Sequence, residues 1–419
     1  MPAGKHVRRT VSWLAATAAA LLVGATTAGC GADATAAENS TVTVMTWAPL
    51  GSEAGSEPAV PVTAQAIAQW INDTGGIGGR TLRVITCDER DTAEGAQACA
   101  TQAVQQNVAA VVGSYSQFGD SFMPVLSEAG IPYLGGAGLS DTEFSAPYSY
   151  PVNGGYQSLL AGNGAQLIAS GCRRVAIVRP DSIVGDAMVG YLNAGLASSR
   201  LAAVDIRVTP GRTDYSEQAA AAIAGDQGRN CITLALDAAS TSTFLDSYRR
   251  LPHRHTQLAS VVGSIQQTVV DATGGSSGPL ADALVTSWYP PDDSSVWNDL
   301  HSVLRKYAFS HTEISAADPF VETTWVAYQV LRSALQGVQG PVTASLLQAR
   351  LETTAGITVK GITPALNWQT QFMLPNVSVP RTVNTEVAFQ HVVGGELTWE
   401  RTGLVDMRPA LSATGGAGS

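Results

Sequence analysis

The chain has 419 residues, which is enough for two lobes of ordinary domain size even after an N-terminal leader is set aside. It carries 34 acidic residues against 24 basic ones and has a formal net charge of −10. An acidic chain without a basic run does not attract phosphate backbones, so the composition argues against a nucleic-acid partner.

The N-terminal segment is typical of a bacterial lipoprotein signal peptide. Three basic residues precede an apolar run over residues 13–28, which ends in small residues just before Cys30. The run is shorter than the roughly 20 residues that span a bilayer, so we expect cleavage rather than a retained membrane helix. We predict a signal peptide at 1–29, a lipid on Cys30, a flexible tether at 30–40, and anchoring to the outer face of the cell membrane. Ordinary secretion without the lipid is the alternative.

The first half of the mature chain alternates between strand and helix patterns. The patterns predict strands at 41–46, 81–86 and 108–112, with helices around 67–71 and 96–104. The loop at 47–61 is long for a connection between a strand and a helix, and long loops of this kind often carry function. Strands and helices in this order predict half of a parallel α/β sheet, with a ligand crevice at the carboxyl ends of the strands.

The second half of the chain repeats the alternation and then departs from it. The patterns predict strands at 174–178, 204–208, 232–236 and 258–262, helices at 187–196, 217–224 and 321–335, and a final pair of strands at 386–393 and 396–400. Two α/β lobes joined near Tyr150 follow from this order. The last residues, 410–419, are small and polar, and we predict a disordered tail there.

Six stretches of the sequence, taken in order, carry a resemblance to a known family. They are I-N-D-T-G-G-I-G-G-R-T-L-R-V at 71–84, the acid cluster at 88–91, V-V-G-S at 111–114, E-A-G-I-P-Y at 128–133, C-R-R-V-A-I-V at 172–178 and P-F-V-E-T-T-W-V-A-Y at 319–328. Together they resemble the leucine/isoleucine/valine-binding protein family, the type I solute-binding proteins of ABC transporters.

The resemblance implies an α/β fold of two flavodoxin-like parallel-sheet lobes joined by a three-crossing hinge. On that basis we place lobe 1 at 41–149 plus 264–380 and lobe 2 at 150–263 plus 381–409. A ligand that contacts both lobes only in the closed state drives hinge closure by its differential affinity.

Four cysteines remain after Cys30, an even number in a chain that we expect to meet an oxidising compartment. Cys87 ends a predicted strand and Cys99 lies about two turns into the next helix, so this pair would close the acidic loop. Cys172 and Cys231 each open a strand, and these two strands are neighbours in a flavodoxin-like lobe. We predict both disulfides, worth about 3 and about 4 kcal/mol for loops of these lengths. Buried free thiols are the alternative.

Ligand contacts in lobe 1 are expected where strands end. The candidates are Trp47, Ser114, Tyr115, Ser116, Gln117, Ala137 and Gly138. Backbone N–H groups and hydroxyls in such turns can hold a carboxylate without a basic side chain. In the family, a serine-rich turn and the turn after it bind the carboxylate of the amino acid. The match is partial, because Gly138 or Leu139 stands where the family has threonine.

Ligand contacts in lobe 2 are expected in the corresponding loops. The candidates are Tyr156, Asp181, Asp237, Ser264 and Gln266. Relatives that bind aliphatic amino acids hold the ammonium group with an acid in the last of these loops, but here that loop reads V-V-G-S-I-Q-Q. Asp181 or Asp237 could replace the missing acid, although helix capping is the alternative role of each. The sequence therefore argues against a standard branched-chain amino acid.

No motif predicts catalysis, a metal or a cofactor. His253 and His255 lack a nearby third ligand, and the chain contains no G-x-S-x-G, H-E-x-x-H or P-loop. We expect a monomeric binding protein, not an enzyme, that delivers a small polar solute such as an amino acid or amide to an ABC permease. A lipoprotein sensor that feeds a membrane signalling receptor is the alternative. An envelope hydrolase is disfavoured because no nucleophile and base motif is present.

Overall fold

The structure is a computed structural model that describes residues 41–51, 56–225, 229–252, 256–261, 263–311, 314–376 and 378–414. The predicted signal peptide, the lipid attachment at Cys30 and the tether lie outside the described residues. Among the helices within those ranges, none is both long enough and apolar enough to cross a membrane.

The first sheet contains five parallel strands in the described part of the chain. They are β1 (Thr41–Ala48), β2 (Thr81–Asp88), β3 (Ala110–Val112), β4 (Tyr133–Leu134) and β5 (Ser149–Tyr150), and their spatial order is β2-β1-β3-β4-β5. The connecting helices are α1 (Ala59–Asp73), α2 (Ala93–Gln105) and α3 (Gly119–Ala129). The turn after α1 requires glycine, because Gly76 has φ +72° and an added Cβ would lie 2.1 Å from the Arg80 carbonyl oxygen. The strands that we predicted for this half are confirmed.

The second sheet contains eight strands within the described ranges. They are β6 (Arg174–Pro180), β7 (Val204–Val208), β8 (Asn230–Leu234), β9 (Thr256–Val261), β10 (Leu284–Ser287), β11 (Glu386–Val393), β12 (Glu396–Trp399) and β13 (Val405–Asp406). Their order is β12-β11-β10-β9-β8-β6-β7, with β13 paired to β11. Strands β6 to β10 are parallel, whereas β11 runs antiparallel to β10. The helices before and between these strands are α4 (Gly155–Ala169), α5 (Ile183–Leu196), α6 (Ser216–Ile223), α7 (Ala238–Tyr248) and α8 (Gln267–Ala272).

The chain returns to the first lobe later than the sequence analysis expected. Strand β10 pairs with β9 on one side and with β11 on the other, so residues 284–287 belong to the second sheet. The boundary that we placed at 264 is therefore wrong. The four residues of β10 are buried, and their backbone hydrogen-bond partners are strands of lobe 2. The return follows Ser287.

Three further helices then pack beside the first sheet. They are α9 (Asn298–Tyr307), α10 (Pro319–Ala334) and α11 (Ala344–Thr353). Helix α10 is fixed there by two hydroxyls, since Thr324 Oγ1 donates to the Gly113 carbonyl over 3.0 Å and Tyr328 shares a 2.8 Å hydrogen bond with Thr46.

Three crossings link the two sheets, as the resemblance implied. They follow β5, follow β10 and precede β11, and side-chain hydrogen bonds hold them side by side. Asn384 Nδ2 donates to the Val152 carbonyl over 2.9 Å, and Trp288 Nε1 donates to the Gly155 carbonyl over 3.0 Å. The predicted α/β fold of two lobes with three crossings is confirmed.

Both disulfides are present as predicted. Cys87–Cys99 joins the end of β2 to α2, and Cys172–Cys231 joins the entrances of β6 and β8, which are adjacent parallel strands.

The predicted tail is partly wrong. Helix α12 (Arg408–Thr414) occupies its first residues, because Met407 and Leu411 are buried in the core. Residues 415–419 lie outside the described ranges.

Candidate functional site

The turns after β1 and β3 are held by internal hydrogen bonds. The Trp47 side chain is fully buried, with its ring 5.3 Å from Phe122 and 5.9 Å from Tyr133, so it packs in the core and not on a rim. Its backbone N–H donates to Ser114 Oγ over 3.0 Å. Ser116 is also fully buried, and its hydroxyl accepts from the Phe118 N–H. Trp47 therefore supports the turn from the core. The hydroxyls of Ser114 and Ser116 already accept backbone hydrogen bonds.

The turn after β4 is occupied by a carboxylate from the protein itself. Glu143, which is 1% exposed, accepts hydrogen bonds from the backbone N–H groups of Gly138, Leu139 and Ser140 over 3.0 to 3.1 Å. The Ser140 hydroxyl adds a fourth donor at 3.2 Å. The buried Ala137 N–H donates to the Ser114 carbonyl. Of the donors that we expected to hold a ligand carboxylate, the Gly138 N–H therefore bonds Glu143 instead.

Burial and hydrogen bonding act on Glu143 in opposite directions. Burial favours the neutral acid, while the four donors favour the carboxylate. Burial wins, and the pKa of Glu143 rises from its ordinary value of 4.5 to about 7.

A cluster of interacting aromatic and acidic side chains includes Tyr115, which follows β3. We call it the Tyr115 cluster and define it as Glu57, Tyr115, Tyr156, Asp318 and Phe320. The Tyr115 ring meets Phe320 edge-on at 4.8 Å between centroids. Burial raises the pKa of Tyr115 well above its usual range, and nearby Tyr156 and Glu57 add to the rise. Burial also raises the pKa of Tyr156 to about 12, with Glu57 as the next cause.

The two acids of the Tyr115 cluster lie near each other. Burial, followed by repulsion from Asp318, raises the pKa of Glu57 to about 8. Burial also raises the pKa of Asp318, although its Oδ1 accepts from the backbone N–H groups of Phe320 and Val321 at the start of α10. Two half-buried carboxyls between aromatic rings form a site that favours a positively charged group.

Three of the lobe 2 candidates occupy ordinary structural roles. Asp237 is exposed and caps α7, since its Oδ1 accepts from the Ser240 N–H over 2.8 Å. Asp181 is exposed and forms a 3.4 Å ion pair with Arg207. The Ser264 hydroxyl is buried and accepts from the Leu236 N–H. These groups order the loops at the ends of β6, β8 and β9.

Two remaining candidates differ in accessibility. Gln117 is exposed beside Tyr115. Gln266 is half-buried and lines a cavity of about 280 Å³ near the second crossing. Of the predicted residues, the structure therefore brings Tyr115 and Tyr156 together, and Gln117 follows Tyr115 by two residues. Asp181 and Asp237 have other roles, as an ion-pair partner and a helix cap.

Sequence reasoning missed the acids that distinguish this site. Glu57 lies in the long loop at 47–61, for which the sequence predicts function without indicating a particular residue. The signal for Glu143 was Ser140-Asp141-Thr142-Glu143, a capping box, and it is present with both reciprocal bonds. The signal for Asp318 was an Asp-Pro pair at a helix start.

Comparison with protein-family models gives a match to the family described as periplasmic binding protein, over residues 14–371. Comparison with curated protein sequences gives no significant match.

Solved structures share the fold at low sequence identity. A possible leucine/isoleucine/valine-binding protein from Rhodopirellula baltica is 13% identical, with a TM-score of 0.71 over 90% of this chain and 99% of that one. A branched-chain amino acid transporter substrate-binding protein from Streptococcus pneumoniae, in complex with isoleucine, is 16% identical with a TM-score of 0.66, over 87% of this chain and 99% of that one. A solute-binding protein of an ABC transporter from R. palustris, in complex with benzoate, has the same identity and TM-score over 87% and 96%.

Proposed function

Because this chain belongs to the periplasmic binding protein family, we propose that it captures a small solute carrying a protonated amino group and delivers it to an ABC permease. The observation that supports this ligand class is the pair of acids, Glu57 and Asp318, set among the rings of Tyr115, Tyr156 and Phe320. The protein would act outside the cytoplasm, held to the membrane by a lipid on Cys30.

The occupied turn after β4 supports recognition through the amino end of the solute. Glu143 accepts from three backbone N–H groups there, so a ligand carboxylate would have to displace a buried acid that is already hydrogen-bonded. An amine, an amino acid amide or a related compound avoids that competition. This differs from the isoleucine and benzoate named for two structural neighbours, both of which carry a carboxylate.

The pKa of Glu57 predicts how affinity depends on pH. Without ligand, Glu57 stays largely protonated below about pH 8. A cation binds the ionised form, so its affinity rises as the pH approaches that value and then levels off while the amine remains charged.

The test begins with a thermal-shift screen of amines, amino acid amides, amino acids and carboxylates. A ligand at 100 times its dissociation constant adds about 2.7 kcal/mol to the folded state. For the best amine, calorimetry should give an affinity at least about tenfold lower for Glu57→Gln, the equivalent of about 1.4 kcal/mol. The pH dependence should also be lost in that variant.

Asp237→Asn is the matched control, because it removes an exposed carboxylate that caps a helix outside the Tyr115 cluster. It should leave the affinity unchanged. Carboxylates that bind while amines do not, or an affinity that Glu57→Gln leaves intact, would reject the proposed ligand class.

A further inference from the structure

The cavity lined by Gln266 lies beside the crossing that follows β10, and side chains from both lobes line it. Its volume is about 280 Å³. The polar residues that matter for its chemistry are Gln266, Ser287, Asp292, Asp293, Glu322 and Gln390.

Of the described residues that line this cavity, none belongs to the Tyr115 cluster. Trp288 points to the cluster side, since its ring lies 6.3 Å from that of Phe320. Its neighbour Tyr289 packs on Trp297 at 5.9 Å and shares a hydrogen bond with Thr323. Ser287, the last residue of β10, lines the cavity, and its hydroxyl accepts from the Tyr289 N–H over 3.2 Å.

Glu322 is the buried group that this cavity leaves without a partner. It extends from α10, is only 4% exposed, and makes no hydrogen bond within the described ranges. Burial raises the pKa of Glu322 well above its usual range, and Asp292 and Asp318 add to the rise. A buried carboxyl without a donor costs free energy in either protonation state, which a suitable ligand would recover.

The groups around Glu322 are acidic or neutral. Asp292, Asp293 and Glu396 line the same cavity, Asp318 lies one helical turn away, and the neutral Tyr289 is adjacent. His301 reaches the region only through Asp292, to which its Nε2 bonds at 2.7 Å. Of the described residues that line the cavity, none is a lysine or arginine.

We propose that this cavity binds a small organic monocation, a primary ammonium or an amidinium, with Glu322 as its counter-ion. Gln390 uses its amide nitrogen on the Tyr289 carbonyl, which leaves its Oε1 to accept an N–H from the ligand. Gln266 and Ser287 supply further polar atoms from lobe 2. As the cation enters, Glu322 gives its proton to solvent, so that the carboxylate meets the ammonium and total charge is conserved.

Calorimetry near neutral pH with ethylammonium, benzylammonium and methylguanidinium chlorides tests this site. Titration in two buffers of different ionisation enthalpy reports proton release on binding. We expect saturable binding with proton release in the wild-type protein. In the Glu57→Gln protein, whose cluster no longer has a titrating Glu57, adding Glu322→Gln, which keeps the size and shape of the side chain, should weaken binding at least about tenfold and abolish the proton release.

Glu57→Gln separates this site from the Tyr115 cluster. Binding that persists in Glu57→Gln and is lost when Glu322→Gln is added to it supports the second site, whatever the fate of the proposed solute function. Binding lost in Glu57→Gln alone assigns the cation to the cluster and overturns the inference. So does the absence of saturable binding by all three cations, or equal binding to a Glu322→Gln protein whose circular dichroism matches the wild type.

Discussion

Two buried glutamates stand in opposite surroundings in this molecule. Glu143, in the turn after β4, receives four hydrogen bonds from three backbone N–H groups and one hydroxyl. Glu322, on α10, is 4% exposed, lines the cavity and receives none within the described ranges. Burial raises both pKa values, but to about 7 for Glu143 and well above the usual range for Glu322. The comparison teaches that the number of hydrogen-bond donors around a buried acid, more than its degree of burial, decides whether the acid stabilises the fold or remains able to bind a ligand.

The sharpest way to break this comparison is to remove Glu143. Glu143→Ala leaves three N–H groups and a hydroxyl without their acceptor in a buried turn. Unsatisfied buried donors cost about 1–3 kcal/mol each before water enters, so we expect the free energy of unfolding to fall by about 4 kcal/mol. Urea denaturation at mildly acidic pH, followed by circular dichroism, measures the loss.

Glu143→Gln is the matched control, because it keeps one acceptor oxygen in place. Its loss should be about half that of Glu143→Ala. A loss below about 1 kcal/mol for Glu143→Ala would show that the turn does not depend on its carboxylate.

The pH dependence of stability gives the next largest effect. A carboxyl whose pKa is higher in the folded state binds its proton more tightly there, so stability is fully present below the unfolded value and is lost as pH rises through the folded value. For Glu143 that window runs from 4.5 to about 7, and burial raises the pKa of Glu89 over the same window. Between pH 5 and 8 we expect each of these two acids to contribute a decline on the order of 2 kcal/mol.

The same denaturation series in Glu143→Gln should give a shallower decline, since the substituted amide does not titrate. An unfolding free energy that rises across this window, or equal slopes in the two proteins, would contradict the account of Glu143 as an acid neutralised by burial.

The fold was predictable because its signals are local or depend on a regular order. The alternation of apolar runs gave the parallel strands, and Cys172 and Cys231 could be paired because each opens one of two adjacent strands. Strand β10 was not predicted because it has only four residues and because one of its partner strands, β11, lies far from it in the chain.

The candidate site was predictable only in part, for the same physical reason. Tyr115 and Tyr156 follow from their places near strand ends. The surroundings of Glu322 do not, because its cavity is completed by residues near 266, 292 and 390. No sequence pattern indicates that a buried side chain will lack a hydrogen-bond donor. That depends on every segment that packs around the side chain, and these segments are far apart in the chain.

The smallest effect is expected from substitutions of Glu322, the glutamate without hydrogen-bond donors among the described residues. Glu322→Gln, studied without any amine, should change the free energy of unfolding by less than about 0.5 kcal/mol, because no hydrogen bond to a described residue is lost. Glu322→Leu should raise it by about 1 kcal/mol, since an apolar side chain removes the cost of burying an unpaired acid. Urea denaturation at mildly acidic pH measures both. If the free energy of unfolding of either variant fell by more than about 2 kcal/mol, Glu322 would stabilise the fold as Glu143 does. Its carboxyl would then already have partners and would not require a bound cation.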